Sequence, residues 1–381
     1  MKLLRVLCLT CCVSLVGCSA LNPFSEPVSV IKPSTLKDFS PKLSVERDWS
    51  VDVGHSESGF FKPVLQNGGL YAASQKGHFY SVNPDTGALN WKIRVKEGLA
   101  AGVAVTTDTF AVIDSNNRLL AYDNQGQLKW QIRLESDVTA EPLGASSLIL
   151  VRTIDYAISA YSADSGGLVW RYQRQLPALT LRSYNPVSIH NGRVYAGFPG
   201  GKLVGLDLNS GQLVWQGNLQ PPSGTTEIER IADITGAPIY NFREICAGSF
   251  QGSVGCINAL NGKTEWSKPF SAPVGGSIDD RYLIFPNELG VLTAFSRNGG
   301  ETLWEIDSFV MRQPTTPVVF GRSVVIGDYQ GYLHFIERDS GNTIARLRIG
   351  SSSFTSPVLA LDGSTVIVQS RQGHLVKLTV Q

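Results

Sequence analysis

The 381-residue sequence lacks the residue patterns of the common catalytic and metal sites. It has two methionines and five histidines, and no histidine pair has metal-ligand spacing. It contains no GxSxG motif and no glycine-rich phosphate loop that leads from a strand into a helix. Nor does any long stretch combine helical spacing with helix caps. The sequence therefore predicts no catalytic residue, no cofactor and no metal, and it disfavours a helical fold.

Net charge is also nearly absent. The formal charge of the whole chain is +1. Removal of residues 1–17, which contain Lys2 and Arg5 but no acid, leaves 31 basic and 32 acidic residues, a balance of −1. Such neutrality argues against nucleic acid or another acidic polymer as the main partner.

Tryptophan, by contrast, recurs at nearly even spacing. The seven tryptophans are separated by 42, 39, 40, 45, 51 and 38 residues. Six of them end a segment of one design, in which an alternating apolar strand and a glycine-containing turn precede the tryptophan. The copies are FYSVNPDTGALNW, LLAYDNQGQLKW, ISAYSADSGGLVW, LVGLDLNSGQLVW, VGCINALNGKTEW and LTAFSRNGGETLW. A seventh copy, LHFIERDSGNTIA, has Ala345 at the tryptophan position. Repetition at this period is typical of propellers, solenoids and arrays.

The content of each repeat selects a propeller. Four short runs with period-two alternation and glycine turns fit one four-stranded blade, and tryptophan can fill the space between neighbouring blades. The last unit has three strands and no tryptophan strand, whereas the first strand, LSVERDWSVDV, is a tryptophan strand without a unit before it. Pairing the two closes the ring. We therefore predict an all-β, eight-bladed β-propeller over residues 43–381, closed by its N-terminal and C-terminal strands.

The N-terminus predicts secretion. Residues 1–17 have a basic start, a short apolar stretch and a small-residue end, as in a signal peptide. The segment LVGC, which ends at Cys18, resembles the bacterial lipobox; by that resemblance Cys18 becomes the acylated first residue, and Ser19 after it is typical of sorting to the outer membrane. The alternative is an ordinary signal peptide with a fortuitous cysteine. Residues 18–42, rich in proline and serine, are predicted to be a flexible tether that leaves the propeller in the periplasm.

Two cysteines remain after the signal and Cys18. Cys246 and Cys256 lie in EICAGSFQGSVGCINA, which is predicted to be a hairpin that turns near Phe250 and Gln251. This register places the cysteines opposite each other, close enough for a disulfide in an oxidising compartment. A pair of reduced core cysteines is the alternative, and the sequence leaves both open.

Function is expected where the repeat is interrupted. The two longest tryptophan gaps, 45 and 51 residues, are consecutive, so their insertions should emerge side by side on one face of the ring. Apolar residues beside charged ones suit a protein interface with an apolar centre and a charged rim. Alternatively, the two leucines only pin a long loop onto the blade. The candidate partner-binding residues are Leu179, Leu181 and Arg182 in the first insertion, and Glu227, Glu229, Arg230 and Asp233 in the second.

These residues and repeats resemble two related groups of proteins. The repeats resemble the tryptophan-docking repeats of quinoprotein dehydrogenases, and the whole chain resembles the propeller lipoproteins of the outer-membrane β-barrel assembly machinery. The second resemblance covers the lipobox, the tether, the eight blades and the segments PALTLRSYNP and TTEIERIADI. It implies a non-enzymatic, lipid-anchored scaffold that faces the periplasm and binds BamA through its POTRA domains, together with other assembly subunits.

The same resemblance places contacts with BamA at Leu179, Leu181, Arg182 and Asp233. Where the family has a second acid, this sequence has Thr235, so no charge contact is expected there. From the fold alone, exposed blade edges could also accept strands of unfolded outer-membrane proteins by β-augmentation.

The sequence leaves two alternative functions. The repeats suggest a pyrroloquinoline quinone dehydrogenase. That resemblance, however, implies a longer chain with an adjacent cysteine pair that holds the cofactor. In this sequence the adjacent pair, Cys11 and Cys12, lies in the predicted signal peptide. A periplasmic ligand-binding propeller would instead have a polar, ion-lined central funnel.

Overall fold

Every regular element of the described chain is a β-strand. The structure, a computed structural model, describes residues 32–58, 60–177, 179–181, 183–219 and 231–381. The chain divides into the units Met1–Lys32 and Pro33–Gln381, and all the strands belong to the second unit. Within the described ranges, no helix is long and apolar enough to cross a membrane.

The strands form eight sheets, which we number as blades in chain order. Two strands precede blade 1, namely β1 (Val45–Asp52) and β2 (Phe60–Phe61). Blade 1 consists of β3 (Val64–Gln66), β4 (Gly69–Ala73), β5 (His78–Val82) and β6 (Leu89–Arg94). Blade 2 consists of β7 (Leu99–Val105), β8 (Phe110–Asp114), β9 (Arg118–Tyr122) and β10 (Leu128–Arg133), and β2 pairs in parallel with β7. Blade 3 consists of β11 (Leu143–Ala145), β12 (Leu148–Arg152), β13 (Ile158–Ser162) and β14 (Leu168–Tyr172). Blade 4 consists of β15 (Ser188–His190), β16 (Arg193–Phe198), β17 (Lys202–Asp207) and β18 (Leu213–Asn218).

The second half of the ring repeats this arrangement. Blade 5 consists of β19 (Ile234–Asn241), β20 (Glu244–Ser249), β21 (Ser253–Asn258) and β22 (Thr264–Pro269). Blade 6 consists of β23 (Ser277–Ile278), β24 (Tyr282–Pro286), β25 (Leu292–Ser296) and β26 (Thr302–Ile306). Blade 7 consists of β27 (Val318–Phe320), β28 (Ser323–Gly327), β29 (Tyr332–Glu337) and β30 (Thr343–Arg348). Blade 8 consists of β31 (Leu359–Ala360), β32 (Thr365–Gln369), β33 (His374–Val380) and, from the other end of the chain, β1.

The predicted closure is confirmed. β1 pairs antiparallel with β33, from Val45 opposite Val380 to Asp52 opposite His374. The strand that carries the first tryptophan thus completes the last blade. The pairing of β1 with β33 closes the ring, so blade 8 has the same four strands as the other blades. The predicted eight-bladed all-β fold is therefore correct.

The hydrophobic core lies between neighbouring blades. Second strands such as β4, β8 and β12 are buried at every position, whereas outer strands such as β22 alternate between half-buried and exposed residues. One cluster joins Leu150 of blade 3 to Val204 of blade 4, and another joins Val325 of blade 7 to Val376 of blade 8. Because each blade buries its faces only against its neighbours, the ring forms one cooperative unit.

The recurrent tryptophans join consecutive blades. Six of them donate the indole N–H to a backbone carbonyl in the next blade at 2.6–3.1 Å: Trp49 to Pro84, Trp130 to Ala163, Trp170 to Leu208, Trp215 to Ala259, Trp266 to Arg297 and Trp304 to Arg338. Each of these rings also covers a turn glycine of the next blade. Trp91 differs, because its ring packs against Phe79 and Phe110 at centroid distances of 5.0 and 5.5 Å.

This docking leaves no room for a side chain at the turn glycine. Gly211 has φ of +68°, and a Cβ atom there would lie 2.5 Å from the ring of Trp170. Gly192, in the same blade, has φ of +69° with no atom within 4 Å of its Cβ position. We expect Gly192→Ala to cost about 1 kcal/mol through backbone strain alone. Gly211→Ala should cost about 3 kcal/mol, because the displaced indole adds to the strain. Urea unfolding of both variants measures the difference, and equal losses would contradict tryptophan docking as a source of stability.

Part of the predicted tether lies on the propeller. Within residues 33–42, the N–H groups of Ser34 and Lys42 donate to the carbonyls of Val310 and Ile344 at 2.9 Å. Arg346 donates to the carbonyl of Lys37 at 3.3 Å. Residues 33–42 of the predicted flexible tether therefore form a strap against blades 6 and 7, whereas residues 18–31 of that prediction lie outside the described residues. The sequence did not reveal the strap because its backbone and side-chain contacts are with residues about 300 positions away.

Candidate protein-interaction surface

The two predicted insertions are the connectors that follow the outer strands of blades 3 and 4. The first connector is residues 173–187, between β14 and β15, and the second is residues 219–233, between β18 and β19. The carboxylate of Asp233 accepts a hydrogen bond from the backbone N–H of Leu181 at 2.6 Å. This bond joins Leu181 of the first connector directly to the last residue of the second.

The predicted site residues are placed differently by the structure. Leu179 is exposed, with 46% of its surface accessible, and Leu181 is half-buried. Asp233 is only 1% exposed, so in this structure it lies beneath the surface and cannot present its charge there. Thr235 is buried as well, and its hydroxyl donates to the carbonyl of Ala272 at 2.6 Å. The other predicted residues lie outside the described part of the chain: Cys18, Arg182, Glu227, Glu229 and Arg230.

Asp233 acts as a link between the connectors and blade 3. Its carboxylate also accepts a hydrogen bond from the hydroxyl of Tyr156 at 3.1 Å, and that hydroxyl lies 2.6 Å from the carbonyl oxygen of Leu181. Burial raises the pKa of Asp233, against the opposing effect of the Leu181 N–H and the Tyr156 hydroxyl. Burial also raises the pKa of Tyr156, and the nearby charge of Asp233 raises it further. The backbone of Leu181 is thus held at both its N–H and its carbonyl group. These contacts also restrict the position of the exposed Leu179, two residues earlier.

Tyr156 was missed by reasoning from the sequence. It has φ of +60° at the hairpin of blade 3, where the hairpins of blades 1, 6, 7 and 8 have glycine with positive φ. A bulky residue in this conformation is an outlier that usually has a specific role. The sequence did contain a sign of this role: in the segment TIDYAIS, Tyr156 stands where the equivalent hairpins of those blades have glycine.

The cysteine pair has the predicted register. Cys246 and Cys256 are directly opposite each other on β20 and β21, with Cα atoms 4.1 Å apart, and the structure joins them by a disulfide. The carboxylate of Glu244 lies within 4.8 Å of the two sulfurs, a spacing that could suit three ligands of one metal ion. Sulfurs in a disulfide are not thiolates, however, so this group does not provide metal ligands.

A cavity of about 410 Å³ faces the inner strands of blades 3 to 8. Its wall is mainly small and apolar, with Pro186, Pro238, Pro317 and Pro357 in or just before the inner strands of blades 4, 5, 7 and 8. Lys62 and Glu141 are the charged residues among the described lining. This wall does not match the ion-lined funnel that a ligand-binding propeller would require.

Comparisons with known proteins agree with this architecture. A solved structure of BamB from Moraxella catarrhalis matches with a TM-score of 0.78 and 22% identity, covering 88% of this chain and 100% of that chain. The quinohemoprotein alcohol dehydrogenase from Comamonas testosteroni matches with a TM-score of 0.68 and 13% identity, covering 88% of this chain and 76% of that one. At these identities both likenesses show the fold alone. The class is thus an eight-bladed β-propeller with tryptophans that dock onto the next blade.

Sequence relatives define the family within that class. The family model described as "Outer membrane protein assembly factor BamB" matches residues 75–306 and 288–381. A relative of that name from Bordetella pertussis (strain Tohama I) is 34% identical over 97% of this chain and 95% of its own length. The chain belongs to the BamB family of outer membrane protein assembly factors.

Proposed function

We propose that this protein is a non-enzymatic scaffold of the β-barrel assembly machinery, anchored to the outer membrane through a lipid on Cys18 and facing the periplasm. Its near-full-length relationship to proteins named as outer membrane protein assembly factors carries the proposal. On this proposal, the chain assists the folding and insertion of outer-membrane β-barrel proteins by binding a subunit of the machinery.

The proposed partner is BamA, through its periplasmic POTRA domains, and the proposed contact is the first connector. Three observations support this placement. Leu179 is an exposed leucine on a long connector. The connector is held at Leu181 by Asp233 and Tyr156, so Leu179 is presented in a defined position. A pre-positioned apolar side chain lowers the entropic cost of binding and suits the centre of an interface.

The test is capture of BamA from detergent-solubilised envelopes by wild type, Leu179→Glu and Leu289→Glu. Leu289 is the matched control, since it is 47% exposed and lies on the hairpin between β24 and β25 of blade 6. We expect Leu179→Glu to capture about tenfold less BamA than wild type, because a carboxylate would be desolvated at the interface. Leu289→Glu should capture as much BamA as wild type.

The other outcomes are equally informative. Failure of the wild type to capture BamA would overturn the proposed partner and direct attention to quinone and small-ligand binding. Equal capture by all three proteins would retain the partner but remove the contact from the first connector.

A further inference from the structure

A second cavity, of about 200 Å³, adjoins the larger cavity of blades 3 to 8. The two cavities share Lys62, Glu141 and Tyr184 in their walls. Most residues that line the second cavity are only half-buried, so the cavity opens to solvent. Engineered protein cavities of about 150 Å³ hold a benzene ring. The second cavity is therefore large enough for an aromatic group.

Glu141 is a buried carboxylate in the wall of both cavities. It is 5% exposed. The hydroxyl of Tyr184 lies 2.9 Å from each of its two oxygens, but a single O–H donates fully to only one oxygen at a time. A carboxylate can accept about four hydrogen bonds, and no other side chain of the described residues bonds to Glu141. Buried charges are normally paired and hydrogen-bonded, so the remaining acceptor sites indicate a ligand that donates.

Two cationic side chains line the same cavity without forming an ion pair with Glu141. Lys62 directly follows β2, and its ammonium group has no carboxylate partner among the described residues. Arg371, on the hairpin between β32 and β33, donates to the backbone carbonyl of Glu57 at 2.7 Å. The wall thus presents one anion and two cations. A ligand that carries both an ammonium and a carboxylate group complements such a wall, whereas a simple cation would also meet the two like charges.

The apolar part of the wall suits an aromatic side chain. The rings of Phe60 and Tyr184 stack with their centroids 5.7 Å apart, and the buried Phe61 and Phe354 also line the cavity. Aromatic rings pack favourably against one another in offset or edge-to-face geometry. Burial raises the pKa of Tyr184 well above its ordinary value, so its hydroxyl stays protonated and continues to hold Glu141 in place.

We propose that this cavity is a binding site for a free aromatic α-amino acid. Glu141 accepts hydrogen bonds from the ammonium group of the ligand. Lys62 and Arg371 attract the carboxylate of the ligand, and its ring packs beside Phe60 and Phe354. The site goes beyond the proposed scaffold function and does not depend on it, because it rests on the cavity and its wall alone.

Calorimetry on the purified wild type with three probes of similar size tests the class of ligand. The probes are L-phenylalanine, phenethylamine, which lacks the carboxylate, and hydrocinnamate, which lacks the ammonium group. We expect L-phenylalanine to bind most tightly and each of the other two to bind about tenfold more weakly, since each loses a charge-assisted contact. Absence of binding by L-phenylalanine, or equal binding of all three probes, would overturn the proposal.

Glu141→Gln tests the residue itself, because its amide oxygen still accepts a hydrogen bond from Tyr184 but the charge is lost. L-phenylalanine should bind to this variant about tenfold more weakly, whereas the affinity for hydrocinnamate should not fall. Glu265→Gln, exposed on the outer strand of blade 5, is the matched control and should bind all probes as wild type does. A purely structural Glu141 would give a lower Tm with unchanged affinity for L-phenylalanine, and that result would contradict the assigned site.

Lys62→Met provides a second variant that leaves Glu141 in place. It should weaken the binding of L-phenylalanine and hydrocinnamate but not that of phenethylamine, because only the first two carry a carboxylate. Should Glu141→Gln not fold, this selectivity still decides the matter. Equal weakening of all three probes by Lys62→Met would overturn the assignment of the ligand as an amino acid.

Discussion

Replacement of Asp328 with alanine will destabilise the propeller by about 3–5 kcal/mol, because it leaves a buried guanidinium without its counter-ion. Asp328 is fully buried, and its Oδ2 accepts hydrogen bonds from Arg312 at 2.6 and 2.9 Å. The same oxygen lies 3.0 Å from Nε2 of His334. Arg312 in turn donates to the carbonyl of Ser34 at 2.9 Å, so the loss of Asp328 also weakens the attachment of the strap.

Asp123→Ala is the matched control for the turn that Asp328 forms. Each aspartate accepts hydrogen bonds on Oδ1 from the N–H groups two and four residues later, at 2.8–3.0 Å. Asp123 is only half-buried and has no arginine bonded to it among the described residues. We expect its replacement to cost about 1 kcal/mol. Denaturant unfolding of the two variants separates the contribution of the charge from that of the turn, and similar losses would show that the buried ion pair adds little.

The same cluster predicts loss of stability in acid. Burial raises the pKa of Asp328, but hydrogen bonds from His334 and Arg312 outweigh burial and hold it below its ordinary value. Its contribution is therefore present above the pKa of the unfolded state and is lost as the pH falls below about 4. Burial lowers the pKa of His334, so stability should already decrease as the pH falls below about 6.5. In Asp328→Asn the loss below about pH 4 should be smaller, which unfolding measured across this range will show.

On the proposed function, replacement of Asp233 with alanine will weaken binding to BamA by roughly tenfold or more, although Asp233 itself is buried. The change removes the acceptor for the N–H of Leu181 and the hydroxyl of Tyr156. The N–H of Leu181 then has no partner, whereas the hydroxyl of Tyr156 keeps the carbonyl of Leu181 at 2.6 Å, so stability should fall by about 1–3 kcal/mol. The first connector then loses its defined position, and Leu179 must be ordered at the moment of binding, which reduces affinity.

Asp114→Ala distinguishes this positioning role from a general loss of stability. Asp114 is fully buried in blade 2 and accepts hydrogen bonds from the N–H groups of Asn116 and Arg118 at 3.0 and 2.8 Å. We expect Asp114→Ala to lower stability and leave the affinity for BamA unchanged when both variants are measured well below their Tm. An equal loss of affinity in the two variants would remove Asp233 from the account of binding.

The regular part of the fold was predictable because its determinants are local and repeated. Six of the seven tryptophans follow the turn glycine of their own repeat by a few residues. The seventh, Trp49, lies on a lone strand whose complement is the incomplete unit at the other end of the ring. The register of Cys246 and Cys256 was equally accessible, since a short hairpin determines it. These inferences needed only the repeat pattern and short-range spacing, not the side-chain contacts between blades.

The candidate protein-interaction surface was less predictable because its contacts join residues far apart in the chain. The sequence placed Asp233 in a charged interface loop, whereas the structure buries it against Leu181 and Tyr156, 52 and 77 positions away. The strap is held by Arg312 and Arg346 at comparable or greater distances in sequence. Such pairings leave no periodic signal. The two long tryptophan gaps indicated that this region differs from the other repeats, and the tyrosine at position 156 was a second signal that was missed.

Site-specific photocrosslinking in cells tests the central claim most directly. A benzophenone side chain at position 179 would sit on the first connector, and one at position 289 would sit on an equally exposed hairpin of blade 6. The account predicts a crosslink to BamA from position 179 and none from position 289. A crosslink from position 289 alone, or none from either position with a complex that is otherwise intact, would contradict the first connector as the binding surface.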